Sequence, residues 1–268
     1  LGVLPIHLRH SGYLYRLAPG HVLQLLYVKH RLRKRELRTF IDVGAGNGYL
    51  SHTLLSLGLT GTGFDLNTEA CENNRVENAK AVASGKYMVR CEDFVRAAVP
   101  PVDLIISSMV IEHLTPGQVR EYFARCREVL NPGGLIVTIV PASPRHWGIE
   151  DEIAGHQKRY KREDFTEIAR EHRLRVLHVA GLTYPMSNLL LGLSNRLVRR
   201  AESAKLTMDA HARTVASGSR HVWGKTEFPD VARYFVNEVT LFPLHLLQYL
   251  TRGHPDALVL YVEMQTSS

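Results

Sequence analysis

Apolar and polar positions along residues 39–140 fall into two alternating periods. Short β-branched or aliphatic runs at Thr39–Val43, 61–64, Tyr87–Arg90, 102–106 and 135–140 each stop at glycine, polar or acidic positions, as strands do. Between them the apolar residues take helical spacing: Leu50, Leu54, Leu55 and Leu57 after the first run, and Val119, Tyr122, Phe123, Cys126, Val129 and Leu130 after the fourth. This alternation predicts a mostly parallel sheet with helices on both faces and right-handed crossovers. A sixth strand is expected over 174–179, behind a helix spanning roughly 161–172, and a seventh over 258–263. Residues 13–38 read as a helical leader.

The sixth and seventh strands are separated by about 75 residues, where a minimal domain needs only a short connection. In the first part Met186, Leu190, Leu193 and Leu197 share one face, with Arg196, Arg199 and Arg200 nearby. The second part, 229–250, is rich in apolar residues from Val231 to Leu250, and Pro243 imposes a kink or a break there. Two helices capping the core would show these stripes, and so would a lid over an apolar acceptor that also rests on a membrane. The organisation expected is one domain: a basic helical leader (1–38), a core (39–181), a helical insertion (182–256) and a last strand with its tail (257–268).

Composition allows this. A chain of 268 residues with 45% apolar content can bury one substantial core, and its formal charge of +7 favours an anionic partner: nucleic acid, an anionic membrane surface or an acidic small molecule. Cys71, Cys91 and Cys126 are odd in number and lack metal-binding spacing, which argues for a reducing compartment, against zinc, and for ordinary thiols. The first ten residues lack an apolar signal core and no apolar run approaches the length of a membrane span, so a cytoplasmic location is expected. The chain begins at Leu1 rather than Met, which leaves open whether a segment precedes it.

Chemistry enters at residues 44–48. The first strand feeds into Gly44, Gly46 and Gly48, a G-x-G-x-G turn whose backbone can approach a ligand closely and open a helix. A dinucleotide fingerprint would place its third glycine where Tyr49 stands, and the Gly-Lys-Ser/Thr of a P-loop is absent. Asp65, 21 residues after Gly44, closes the second strand where a carboxylate can accept hydrogen bonds from ribose hydroxyls.

Loop and acid together resemble the class I S-adenosylmethionine-dependent methyltransferases. The likeness extends to Cys91-Glu92-Asp93-Phe94 after the third strand, to residues 107–114 after the fourth, and to the Asn131-Pro132-Gly133-Gly134 turn before the fifth. It implies a Rossmann-like seven-stranded sheet whose last strand is antiparallel and lies beside the sixth. It also implies S-adenosyl-L-methionine as cofactor, with Asp42, the three glycines, Asp65 and Leu66 around the loop and ribose. Asp93 and Phe94 would then lie at the adenine, with Ser107 and Met109 under the methionine part.

Transfer of a methyl group from a sulfonium requires in-line alignment, and a hydroxyl acceptor also requires a base. His156 is the first choice for that base, because carboxylates several residues earlier, Asp151 among them, could orient it from a folded loop; a loop histidine capping the next helix is the plainer alternative. Asp151-Glu152, Gly155-His156 and Arg159-Tyr160 resemble a segment of a bacterial subgroup associated with polysaccharide and glycolipid gene clusters, which adds Tyr160 to the candidates. Glu112-His113 forms a rival or additional contact. Some quinone and RNA methyltransferases of this fold bind a divalent cation through Glu-x-x-Glu-His, but Met109 stands at the first glutamate position here, so no metal is expected.

Two basic clusters remain, one with six Lys/Arg in 29–38 and one at Lys158-Arg159 and Lys161-Arg162. A solvated helix face is the ordinary explanation; anionic lipid, an acceptor phosphate or RNA are the functional ones. No appended RNA-binding module or stacking platform is present, so a small-molecule, lipid or lipid-linked glycan acceptor is preferred, with peripheral contact at an inner membrane face. An RNA methyltransferase and a non-catalytic cofactor-binding subunit stay open as alternatives.

Overall fold

The computed structural model describes residues 17–202 and 234–266. The strands are β1 (Thr39–Val43), β2 (Thr60–Phe64), β3 (Tyr87–Arg90), β4 (Val102–Ser108), β5 (Leu130–Pro141), β6 (Leu174–Leu182) and β7 (Val259–Thr266). They form one sheet in the order β3-β2-β1-β4-β5-β7-β6, with β7 antiparallel to both its neighbours and every other pairing parallel. This is the expected α/β architecture. The direction of strand succession reverses between β1 and β4, which opens a crevice at their carboxyl ends where open α/β sheets bind ligands.

Helices cover both faces: α1 (Pro19–Leu32), α2 (Tyr49–Ser56), α3 (Thr68–Glu77), α4 (Ala79–Ala83), α5 (Pro116–Val129), α6 (Ile149–Ala154), α7 (Arg162–Glu171), α8 (Met186–Glu202) and α9 (Phe242–Leu250). Alternating strand residues divide between two apolar layers. Phe40, Leu104, Ile106 and Val137 face a layer that includes α1 and α2, while Ile41, Val43, Ile105 and Ile136 face a layer that includes α5 and α7. Local chemistry sets the helix starts. Thr115 and Gln118 form a reciprocal capping box on α5, and the Asn67 side chain accepts from Ala70 N at the head of α3.

The insertion departs from expectation. Pro243 neither kinks nor breaks a long helix; it sits in the first turn of α9, where its missing N–H costs no helical bond. Residues 234–241 before it are turns and a short helical bend, and the stretch 229–233 lies outside the described residues. The basic leader also differs from a merely solvated face. Arg31 grips Glu263 with two hydrogen bonds (Nε to Oε1 at 2.7 Å, Nη2 to Oε2 at 2.9 Å), Arg35 adds a third at 2.8 Å, and Tyr261 donates to Oε1 at 2.9 Å. Lys29 pairs with Glu238 at 2.9 Å, and the Gln248 side-chain amide donates to Leu23 O at 2.8 Å. These bonds lock α1 to β7 and to α9.

Glu263 is fully buried, so the clamp is what makes its charge tolerable. Burial alone would raise its carboxyl, but the Arg31 bonds, Tyr261 and Arg35 hold it below the ordinary glutamate value. A depressed carboxyl contributes stability above its unfolded pKa and loses it as pH falls through the folded one. Arg31→Met should therefore cost about 3 kcal/mol at neutral pH, because it leaves a buried carboxylate with one arginine. The loss should shrink as pH falls through the carboxylate range, because the wild type gives up its charge-dependent stability on protonation and the variant has little to give up. Urea unfolding across an acid titration measures both, and an unchanged acid limb would refute the clamp.

Candidate active site

Three left-handed residues shape the loop after β1: Gly44 (φ 70°), Gly46 (φ 50°) and Gly48 (φ 86°). A Cβ on Gly44 would lie 2.4 Å from Val110 Cγ2, and one on Gly48 would lie 2.3 Å from Asn74 Oδ1, so neither position admits a side chain. Gly46 has no atom within 4 Å of where a Cβ would sit, so its face is open. Asp65 reaches across from the end of β2: Oδ2 accepts from Gly46 N at 2.8 Å and Oδ1 from Asn67 N at 2.8 Å. The carboxylate fixes the loop and keeps lone pairs available for further donors. Leu66, beside it, is two-thirds exposed.

The underside of the loop rests on a buried polar chain. Asp42 is fully buried; its Oδ2 accepts from Ser51 Oγ at 2.7 Å while Oδ1 has no partner, and burial pushes its carboxyl up to about 7. Tyr87 donates to Ser51 Oγ at 2.7 Å, Asn74 Nδ2 donates to the Tyr87 hydroxyl at 3.1 Å, and Asn78 Nδ2 bonds Asn74 Oδ1 at 2.9 Å and Gly48 O at 3.2 Å. Asp42 thus lies under the loop, not on its open side. Asn74, Asn78 and Tyr87 escaped the sequence reading. Asparagines at i and i+4 of a polar helix were the signal, since residues so spaced face the same way.

The adenine and methionine candidates split in the same manner. Asp93 is exposed, its Oδ1 accepting from Val95 N at 2.9 Å, whereas Phe94 is buried edge-on between Phe64 and Tyr122. Ser107 is buried at the end of β4, and Met109 takes a left-handed φ of 56° while its amide donates to Ile139 O.

The catalytic candidates converge. Asp151 on α6 is fully buried and its Oδ1 accepts from Arg159 Nε at 2.8 Å and lies 2.8 Å from His156 Nδ1; Oδ2 accepts from Gly148 N at 2.8 Å. Burial would raise this carboxyl, but His156 and Arg159 hold it below the ordinary aspartate value. On its other side His156 Nε2 stands 4.0 Å from Glu112 Oε1, and its ring meets that of His113 edge-on with centroids 4.8 Å apart. Gln157 N donates to Glu112 O at 2.6 Å, which fastens the α6 segment to the turn after β4. Tyr160 is 3% exposed and its hydroxyl donates to Ile111 O at 3.1 Å, which places it behind this cluster as a brace.

Glu112 is the anomaly. It is fully buried, neither carboxylate oxygen has a hydrogen-bond partner, and burial with help from nearby Asp151 pushes its carboxyl up to about 8. Glu112, His113 and His156 each offer a ligand atom, all within 4.8 Å of one another. The donor set fits a cation better than the sequence suggested, because His156 supplies from the loop after α6 a third ligand that Met109 cannot.

Residues 41–136 match a family described as a methyltransferase domain. Similar curated proteins include ubiquinone biosynthesis O-methyltransferases of Caulobacter sp. (strain K31), 28% identical over 36% of this chain and 38% of that protein, and of Colwellia psychrerythraea, 26% identical over 54% and 63%. The chain thus spans 38% of the length of the first such relatives. Among solved structures, phosphoethanolamine N-methyltransferase 2 of Haemonchus contortus, in complex with S-adenosyl-L-methionine, superposes with a TM-score of 0.55 at 18% identity over 91% of this chain and 52% of that one. Magnesium protoporphyrin IX methyltransferase of Synechocystis PCC 6803, with bound SAH, gives 0.51 at 16% over 61% and 78%. At such identities the likeness is one of fold.

The Glu112 carboxyl, raised from 4.5 to about 8, favours the folded state fully below about 4.5 and ceases to do so as pH rises through about 8. Glu112→Gln keeps the shape and removes the buried charge. In chelator-containing buffer the variant should exceed wild type in stability by at least about 1 kcal/mol at pH 8, with the gap closing towards pH 5. Chemical denaturation at the two pH values decides it; a variant no more stable at pH 8 means that Glu112 has a counter-charge in the folded protein.

Proposed function

On the premise of a methyltransferase domain in a class I S-adenosylmethionine-dependent methyltransferase fold, we propose that this protein methylates an oxygen of a small, lipid or lipid-linked glycan acceptor, using S-adenosyl-L-methionine as cofactor. The observation that carries the reading is the Asp151–His156 pair, 2.8 Å apart, beside the carboxyl end of β4 and hence beside the crevice that begins at Gly44–Gly48. Asp65 holds the ribose hydroxyls, Asp93 reads the adenine, and Phe94 and Ser107 support the pocket from within the core. The sulfonium supplies the reactive methyl group.

Asp151 holds the His156 ring in place and stabilises it once protonated, so that Nε2 can take the acceptor's proton as oxygen attacks the methyl carbon. Glu112 and His113 line the same spot, and Tyr160 with Arg159 braces it. That the similar curated proteins are O-methyltransferases supports oxygen as the attacked atom. A second reading follows from the Glu112–His113–His156 cluster: a divalent cation held there would bind the acceptor oxygen and lower its pKa.

An apolar acceptor is supported by the insertion. Leu189, Leu190 and Leu193 on α8 and Phe242, Leu246, Leu247 and Leu250 on α9 are exposed, α8 packs on α6, and Ser194 hydrogen-bonds Glu150 there. Exposed Arg196, Arg199 and Arg200 follow on α8. Apolar residues with cations nearby are the two signals reversible membrane attachment generally needs, and no described helix is long and apolar enough to cross a membrane.

Two variants separate binding from chemistry. Gly46→Arg should abolish S-adenosylhomocysteine binding by calorimetry in a folded protein, because its side chain fills the open face of the loop. His156→Ala should lower kcat by about 10² to 10⁴ while cofactor affinity holds, measured with isotope-labelled cofactor on native lipid and glycan extracts. Normal binding by Gly46→Arg would sink the cofactor assignment. Loss of wild-type turnover in chelator, restored by magnesium or manganese, would select the cation reading over the metal-free one.

Membrane contact has its own test. Vesicles containing anionic lipid should co-sediment the protein at low salt and release it as salt rises. Arg35 serves the Glu263 clamp, so the informative variant replaces only Arg33 and Lys34 with Ala. It should bind vesicles several-fold less with unchanged stability, and indifference of the wild type to anionic vesicles would favour a soluble acidic acceptor.

A further inference from the structure

We infer that Cys71 and Cys91 form a peroxide-oxidisable dithiol at the adenosine end of the cofactor site, and that its closure to a disulfide weakens cofactor binding; the second half rests on the cofactor reading above. In the sequence these cysteines are twenty positions apart and looked like unrelated thiols. The sheet brings them together. β2 pairs with β3 so that Phe64 faces Arg90, and Asp65 N donates to Arg90 O at 3.2 Å, so Asp65 and Cys91 leave the sheet side by side.

α3 then folds back over both. Cys91 Sγ lies 3.7 Å from Thr68 Oγ1 in the first turn of α3, and Cys71 is three residues further on the same helix face. The Cys71 thiol donates to Asp65 O at 3.6 Å and borders the Cys91 thiol. Cys91 is exposed and Cys71 is fully buried behind it, the arrangement of an oxidant-facing thiol and a resolving one. Because Cys91 is exposed and Cys71 lies fully behind it, peroxide meets Cys91 first.

The chemistry balances with hydrogen peroxide as oxidant. The Cys91 thiolate attacks one peroxide oxygen, giving a sulfenic acid and hydroxide. Cys71 sulfur then displaces hydroxide from the Cys91 sulfur, and its own proton leaves with that hydroxide as water. Two thiols and one peroxide become one disulfide and two waters, with two electrons passing from sulfur to oxygen. Closing the bond to about 2.05 Å draws Cys71 off the Asp65 carbonyl and Cys91 off Thr68. Asp65 also holds Gly46, so the shift reaches ribose side, adenine side and loop at once.

The full chain is titrated with hydrogen peroxide and read by intact mass, thiol count and peptide mapping, with buried Cys126 in the opposite layer as internal control. The expected product has lost two hydrogens, keeps one free thiol and carries a 71–91 linked peptide, while Cys71→Ser and Cys91→Ser each block it. Sulfinic acid at Cys91 with Cys71 still free would overturn the dithiol. Calorimetry with S-adenosylhomocysteine should then show at least tenfold weaker binding after oxidation, restored by dithiothreitol and absent from Cys91→Ser. Equal affinity before and after closure would overturn the regulatory half. Failure of the reduced protein to bind at all would count against the cofactor reading, and the mass result would still decide the dithiol.

Discussion

The buried polar chain from Asp42 to Gly48 is the constraint on which the site depends. Ser51, Tyr87, Asn74 and Asn78 connect β1, α2, β3 and α3 through hydrogen bonds of 2.7 to 3.2 Å, and the chain ends on the carbonyl of the third loop glycine. In a low-dielectric interior each such group left unsatisfied costs about 1–3 kcal/mol, so the members hold one another in a single arrangement. The chain even dictates residue choice in a strand that contributes no bond to it. A Cβ on Gly63 of β2 would lie 2.0 Å from the Tyr87 hydroxyl, so that position must be glycine. The ligand-facing geometry of the loop is therefore set from below, by residues that never reach its open face.

The opposite wall of the crevice is built on a different balance. Asp151 receives Arg159, His156 and the Gly148 amide, so its charge is fully answered and its position rigid. Glu112, next to it, receives nothing on either oxygen. The Glu112 carboxyl therefore keeps its proton up to about pH 8, while Asp151 gives its own up below the ordinary aspartate value. The satisfied carboxylate is held ionised and the unsatisfied one neutral.

Most of the fold was legible because period and punctuation agreed along residues 39–140: β1 and β3 fall where expected, and the other strands extend beyond their apolar runs at one or both ends. The antiparallel β7 was not legible from periodicity, since strand direction depends on the connection and not on the pattern; only family resemblance supplied it. Pro243 misled for a related reason. A proline forbids a helix interior but suits a helix start, and the flanking apolar residues do not say which applies. In the site, spacing suggested the contact between Asp151 and His156 because both lie on one short segment. The approach of Glu112 to His156 across 44 positions, and of Cys71 to Cys91 across 20, is tertiary and left no local trace.

Charge was the property most easily misjudged. A net +7 suggests a surface ready for anions, yet Arg31 and Arg35 are engaged by Glu263, Lys29 by Glu238 and Arg159 by Asp151, and Arg162 donates to two backbone carbonyls. Those cations hold elements together and contribute little to the field outside. Arg33 and Lys34 at the end of α1, and the arginines late in α8, remain exposed. Screening limits exposed charges to a reach of roughly 8–10 Å, so only cations clustered near an anion act on it together. The exposed cations on α8 share a helix with exposed leucines, and that helix also packs on the segment carrying His156. The proposed contact with an anionic surface thus depends on where a few cations stand, not on the overall charge, and on α8 they stand beside the face through which an apolar acceptor would arrive.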